Sequence, residues 1–244
     1  MSVPLLQETL PYVRAGYQTA GRGQLGNGWE SERGKNLTYS MLIRSIGLRA
    51  DEQWRMNMLI PVVLCEVVER YLNEEERHGL TIKWPNDIYI GDKKLAGILI
   101  EHTLIGKEIG YSIVGVGLNV NQDKFVSAPN PTSLKLVTGI EYDLDDMMEQ
   151  IRTATCAKME LIKEEEILRH EYMNRLYRRN GYYPYVEREV SVDPTMNAMN
   201  RTLDSFEAEI KTITPQGQLV LRLRSGEEKT YHFKQIRYVV EQTS

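Results

Sequence analysis

Lys83-Trp84-Pro85-Asn86-Asp87-Ile88-Tyr89-Ile90-Gly91-Asp92-Lys93-Lys94-Leu95-Ala96-Gly97-Ile98-Leu99-Ile100-Glu101 is the stretch on which the fold of this chain turns. Residues 80–84, 88–90 and 94–101 are short, β-prone runs, and Gly91-Asp92 between two of them predicts a tight hairpin turn. Pro85 ends pairing and Asn86-Asp87 predicts a turn, so Lys83 and Asp87 flank one corner. Alternation along the returning strand puts Lys94, Ala96 and Ile98 on one face and Leu95, Gly97 and Leu99 on the other. Gly97 permits close approach of another backbone or of a ligand. Lys93 reads as a solvated surface lysine. Two readings stay open for Lys94 and Lys83: surface charges on an amphipathic hairpin, or charges projecting into a partly apolar pocket.

Outward from this hairpin the chain reads as α+β. Residues 37–43 and 109–115 predict further strands. Residues 54–76 carry helical apolar spacing through Met58, Leu59, Val62, Val63, Val67 and Leu72, with Pro61 predicting a kink or a later start. Asp143 is a good N-cap for a helix through Met147, Met148, Ile151 and Met159. A second helix is expected over 164–179, stopping at Asn180-Gly181. Residues 182–204 read as irregular. From Phe206 onward, short strands at 206–213, 219–223, 229–233 and 236–240 alternate with turns, which suggests a small all-β barrel. The expected architecture is a mixed, mostly antiparallel sheet packed against helices in 1–190 and a small β domain in 191–244.

Gly21-Arg22-Gly23-Gln24-Leu25-Gly26 matches G-x-G-x-x-G literally, but Asn27-Gly28-Trp29-Glu30-Ser31-Glu32 cannot open a core-facing helix. A dinucleotide-binding reading therefore fails, and the absence of Gly-Lys-Ser/Thr excludes a Walker loop. The loop offers backbone N–H groups that can cradle an anion, one arginine for a carboxylate or phosphate, and a tryptophan that can cover an aromatic ring. A flexible surface loop with a solvated arginine is the alternative on composition alone.

The chain has 244 residues, with a net charge of −4. That acidic balance argues against a dedicated nucleic-acid binder but not against a local basic pocket. No apolar run is long enough to span a membrane, and the first ten residues do not read as a signal peptide. Two cysteines, Cys65 in a buried-looking helix and Cys156, fit a reduced, cytoplasmic setting. The four histidines are scattered without ligand spacing, so no protein-held metal is expected.

The hairpin and the loop together resemble the biotin–protein ligase family. That family's signatures are a Gly-Arg-Gly loop ending in Trp and a Lys-Trp-Pro-Asn-Asp … Lys-Leu-Ala-Gly-Ile-Leu hairpin, and both occur here in the right order. Gly115-Val116-Gly117-Leu118-Asn119-Val120-Asn121, Pro131-Thr132-Ser133-Leu134 and the C-terminal β domain add weaker matches. The resemblance runs from about Tyr17 to the end of the chain. It implies a class II synthetase-like catalytic domain with an SH3-like C-terminal domain. It further implies ATP-dependent formation of biotinyl-5′-AMP, then transfer of biotin to a lysine of a carrier domain.

The resemblance also implies roles. Lys94 would bridge the biotin carboxylate and the α-phosphate, Arg22 would bind the same junction, and Lys83 would hold phosphate oxygens, with Mg²⁺ shielding pyrophosphate. Gln18, Gly21, Gly23, Gln24 and Gly97 would join Arg22 and Lys94 around biotin. Trp29, Asn86 and Asn119 would lie with the nucleotide. Asp87 either orients the acceptor lysine or caps its turn. The implied partner is a biotin carboxyl carrier protein or domain, with no nucleic acid or membrane; a homodimer stays open.

Two departures from the family pattern stand out. Gln24-Leu25 makes the loop less basic than in relatives that double as repressors. A Ser-Thr-Asn motif that holds the ureido ring has no match in 1–17, which predicts either an upstream segment carrying it or weak biotin binding. Competing readings are a lipoate or octanoate ligase of the same fold, which would not use this hairpin, and an inactive biotin-binding relative. A repressor would need a helix-turn-helix before Gln18.

Overall fold

The computed structural model describes residues 10–23, 28–44, 47–188, 205–233 and 235–240. Gln24, the tip of the glycine-rich loop and residues 1–9 lie outside the described residues, as does the side chain of Arg22. The chain divides into two compact units, Met1–Tyr177 and Arg178–Ser244.

The first unit is built on a six-stranded sheet. Its strands are β1 (Tyr12–Ala15), β4 (Leu37–Arg44), β5 (Leu80–Lys83), β6 (Asp87–Ile90), β7 (Lys93–Ile105) and β8 (Glu108–Leu118), in the order β1-β4-β8-β7-β6-β5. Each neighbouring pair is antiparallel. The parallel element is confined to isolated bridges, Ile82 with Leu176 and Lys94 with Pro131. β2 (Gly21–Arg22) and β3 (Gly28–Trp29) form a separate antiparallel ribbon across the glycine-rich loop.

Period-2 alternation sorts the sheet into two faces. Tyr39, Met41 and Ile43 of β4, Val114 and Val116 of β8 and Ile98 of β7 are buried on the helical side. There they meet α1 (Trp54–Val68), of which Met58, Leu59, Val62, Val63 and Val67 are at most 1 % exposed. Each large apolar side chain buried on this face contributes roughly 1.5–3 kcal/mol. The helix starts at Trp54 and runs through Pro61. Leu72 then turns extended and Asn73 caps a separate α2 (Glu74–His78), so the expected single helix is two. α3 (Leu134–Thr138) is capped by Ser133, and Asp143 caps α4 (Leu144–Lys158) as its position predicts.

α5 (Glu165–Asn174) ends five residues earlier than expected. Residues 175–177 are drawn onto β5 instead: Ile82 N–H donates to the Arg175 carbonyl at 2.7 Å, and Tyr177 N–H to the Ile82 carbonyl at 2.9 Å.

The second unit is a five-stranded antiparallel sheet of β9 (Tyr183–Glu187), β10 (Phe206–Ile213), β11 (Leu219–Leu223), β12 (Glu228–Tyr231) and β13 (Ile236–Tyr238), in the order β12-β11-β10-β9-β13. This is the expected small SH3-like β domain; the compact unit that holds it begins at Arg178, ahead of the expected boundary near 190. β9 lies in the region expected to be irregular. Pro184 disguised it, because proline cannot donate to a ladder. Here Pro184 accepts from Val239 N–H at 3.1 Å, and β9 pairs with β10 on one side and β13 on the other.

Candidate active site

Lys83 pairs directly with Asp87, so the corner between β5 and β6 forms as expected. Asp87 and Tyr89 are two apart on β6 and therefore share a face, and Lys83 and Lys94 stand opposite them on the flanking strands. Lys94 Nζ lies 2.8 Å from Asp87 Oδ2, with the side chains 27 % and 30 % exposed. Lys83 Nζ donates to the Tyr89 hydroxyl at 3.0 Å and sits 4.8 Å from that ring's centroid. Burial pushes the Tyr89 phenol well above its ordinary value, so it stays protonated and accepts from Lys83 through oxygen.

The face assigned to Lys94 by alternation is corrected. The register steps from Ile88–Ala96 to Tyr89–Lys94, so Leu95 is an extra residue on β7. A bulge of one residue reverses every side chain beyond it. Lys94 therefore shares a face with Gly97, not with Ala96 and Ile98. A Cβ placed on Gly97 would lie 3.4 Å from both Cε and Nζ of Lys94. The bulge is anchored by backbone bonds from outside the hairpin. Lys94 N–H donates to the Asn130 carbonyl at 2.6 Å, Thr132 N–H to the Lys94 carbonyl at 2.9 Å, and Asn119 N–H to the Leu95 carbonyl at 3.0 Å.

Beside Lys94 the sheet has a floor without side chains. Gly97 and Gly117 are directly opposed on β7 and β8, and the indole of Trp29 lies across them. A Cβ on Gly97 would stand 3.1 Å from Trp29 Cζ3, and one on Gly117 would collide with the five-membered edge of the indole. The Lys94 ammonium is 5.8 Å from the Trp29 ring centroid. Gly21 is equally constrained: a Cβ there would come within 2.6 Å of the Trp29 carbonyl and 2.8 Å of Gln18 Oε1. The structure thus brings Gln18, Gly21, Trp29, Asp87, Lys94 and Gly97 together, with Gly23 at the end of the same loop leg.

Two buried polar atoms here have no partner among the described residues, Trp29 Nε1 and Asn119 Oδ1. An unpaired buried donor or acceptor costs about 1–3 kcal/mol, and a site that receives a ligand is where such a cost is tolerated. Asn119 donates its amide to the Thr132 carbonyl at 2.9 Å, which fixes Oδ1 as its open side.

Asn86, expected with the nucleotide, lies buried at the hairpin corner. It is 1 % exposed and gives its amide to the Ile98 carbonyl at 2.8 Å, so it is spent on the hairpin corner. The adjoining Pro85 carbonyl accepts from the buried Tyr172 hydroxyl at 2.6 Å. Among the described residues no group of three or more His, Cys, Asp or Glu could hold a metal ion. Asp87, the carboxylate at the corner, is already paired with Lys94.

Two residues escaped the sequence. Gly117 lies in the glycine pattern 115–117, but its pairing with Gly97 is visible only in the register. Glu30 carries no pattern at all. Its carboxylate accepts from the N–H groups of Val126, Ser127 and Ala128 at 2.7, 2.7 and 3.0 Å and from the Ser127 hydroxyl at 2.8 Å. Burial opposes its charge, yet these four bonds outweigh it and hold the carboxyl below its ordinary range.

A family profile described as the biotin/lipoate A/B protein ligase family matches residues 5–119, the span that holds both signature segments and Asn119. The chain is similar to the bifunctional ligase/repressor BirA of Bacillus subtilis, 30% identical over 233 residues, covering 90% of this chain and 63% of that protein's length. The BirA of Escherichia coli is 30% identical over 192 residues, 75% of this chain and 51% of its own. The chain thus spans between half and two thirds of these curated relatives. Among solved structures, a biotin protein ligase from Aquifex aeolicus in complex with biotin and ATP aligns with a TM-score of 0.66 at 22% identity. That alignment covers 93% of this chain and 89% of the other, and it establishes a shared biotin ligase fold.

Proposed function

We propose that this chain is an ATP-dependent biotin–protein ligase. The observation that carries the reading is the pairing of a charged corner, Lys94 with Asp87, with the Cβ-free floor of Gly97 and Gly117. The Trp29 indole seats on that floor beside the Lys94 ammonium, so a flat ligand packed against the indole would bring its carboxylate to Lys94. The Aquifex relative binds biotin and ATP, which supports both substrates.

In the first step an oxygen of the biotin carboxylate attacks the α-phosphorus of ATP, the bond to the bridging oxygen breaks, and pyrophosphate leaves. Two anions must meet, so fixed cations at the junction lower the barrier. Lys94 would serve both, with Arg22 joining and Lys83 taking phosphate oxygens. The orphan atoms of Asn119 and Trp29 suit the nucleotide. With one carboxylate at the corner, Mg²⁺ is expected to arrive on the phosphates, as it does where most of its shell is phosphate oxygen and water.

In the second step the acceptor lysine's amine attacks the acyl carbon, loses a proton, and AMP leaves. Asp87 starts paired to Lys94. Once the adenylate's anionic junction takes Lys94, the Asp87 carboxylate is released to orient the amine and accept its proton. The partner is a biotin carboxyl carrier protein or carrier domain. The test is transfer: the purified chain, ATP, Mg²⁺ and biotin should biotinylate a carrier domain at one lysine, and a carrier lacking that lysine should stay unmodified. Acceptance of octanoate or lipoate in place of biotin would move the chain to the lipoate side of that family.

A further inference from the structure

We infer that Glu30 is a positioning residue that ties the ligand-covering hairpin to the backbone of Lys94; the inference rests on the ligase reading of the same site. Glu30 follows Trp29 directly, at the end of β3. Its carboxylate closes onto three successive backbone N–H groups, those of Val126, Ser127 and Ala128, and onto the Ser127 hydroxyl. Consecutive N–H groups converging on one anion form a concave anion seat, here filled by the protein's own carboxylate. Two residues further on, the same segment reaches Lys94: Asn130 accepts from Lys94 N–H at 2.6 Å, and Thr132 donates to the Lys94 carbonyl at 2.9 Å.

The connections form a closed circuit. Trp29 covers Gly97 and Gly117 and lies under the Lys94 ammonium; Glu30 ties Trp29 to 126–128; residues 130–132 grip the bulge that aims Lys94. The Glu30 carboxylate thus links the backbone next to Trp29 to the segment whose residues 130 and 132 hold the Lys94 main chain. Asn130 adopts φ +46°, a left-handed conformation uncommon for a residue with a side chain, between the two contacts. The lowered pKa of the Glu30 carboxyl, held down by these hydrogen bonds against its burial, keeps the latch charged across neutral pH. Glu30 touches no reacting atom in this arrangement. Its effect would fall on how firmly Trp29 is held over Gly97 and Gly117, hence on substrate retention.

The experiment compares wild type with Glu30→Gln, Ser127→Ala and the double variant. Without ligand, amide exchange should be about tenfold or more faster at 126–128 in Glu30→Gln, since loss of a charge-assisted bond network of this kind is worth at least one decade. With substrates, KM for biotin should rise about tenfold while kcat for pyrophosphate exchange changes less than about threefold, the split expected when binding is lost and Lys94 is intact. The Ser127→Ala effect should vanish in the Glu30→Gln background, because the two side chains share one bond. Unchanged exchange at 126–128 in Glu30→Gln overturns the latch, whatever the activity. Faster exchange with an unchanged KM overturns its role in positioning. Should wild type lack biotin-dependent activity while the exchange result stands, the ligase reading fails and the latch remains as a structural contact.

Discussion

On the ligase reading, the chemistry would depend on Lys94. Its ammonium is held by Asp87 and its backbone by Asn130 and Thr132, so truncating the side chain leaves the main-chain anchors in place. Lys94→Ala should therefore keep the fold, read as an unchanged circular dichroism melt, while adenylate formation falls by roughly three decades or more. Losses of that size follow when a charge acting only at the transition state is removed. Gly117→Ala tests the floor. A methyl there must displace the indole, whereas on Gly97 it meets it at 3.1 Å. Gly117→Ala should weaken biotin binding by about tenfold or more, roughly 1.4 kcal/mol, and Gly97→Ala by less. Equal affinities by calorimetry would remove the floor from the account. These residue types were legible in the sequence, down to the Gly-Arg-Gly loop and both lysines. The bulge at Leu95 was not, because period-2 alternation assumes an unbroken ladder, and only the pairing partner reveals an extra residue.

Elements place these residues, and two contacts test how. The corner between β5 and β6 is held from behind by the Tyr172 hydroxyl on the Pro85 carbonyl at 2.6 Å, fully buried. Tyr172→Phe should cost about 1–3 kcal/mol, since it orphans a buried carbonyl. A denaturant midpoint unchanged from wild type would contradict this.

At the far end of β7 and β8, His102 Nδ1 is 2.8 Å from Ser112 Oγ, and Nε2 is buried without a partner. Burial pushes the imidazole below its ordinary value of 6.5. The native state therefore disfavours the imidazolium, and the unfolded chain gains a proton first as the pH falls. Stability attributable to this site is complete above about pH 6.5 and is lost on acidification, down to the lowered native value. His102→Gln should flatten the fall in stability between neutral pH and pH 5 relative to wild type. Parallel curves would show that His102 does not titrate differently on folding.

Helix caps such as Asp143 and the hairpin turn at Gly91 were readable locally, because each is a short-range bond or a backbone preference. The early end of α5 was not, since the β5 strand that captures residues 175–177 lies almost a hundred residues earlier.

At the scale of the molecule, the sheet divides the labour. One face packs on helices and supplies stability, and the other carries glycine, Lys94 and the tryptophan-bearing ribbon. The second unit was recognisable by its short strands, but its first strand was concealed by Pro184. The central claim is that this face joins a biotin carboxylate to an α-phosphate at Lys94. Its most direct test is the exchange of labelled pyrophosphate into ATP by the purified chain, with and without biotin. The account predicts exchange that requires biotin, is not supported by octanoate or lipoate, and is absent in Lys94→Ala. Exchange that ignores biotin, or that survives at the wild-type rate in Lys94→Ala, would contradict it.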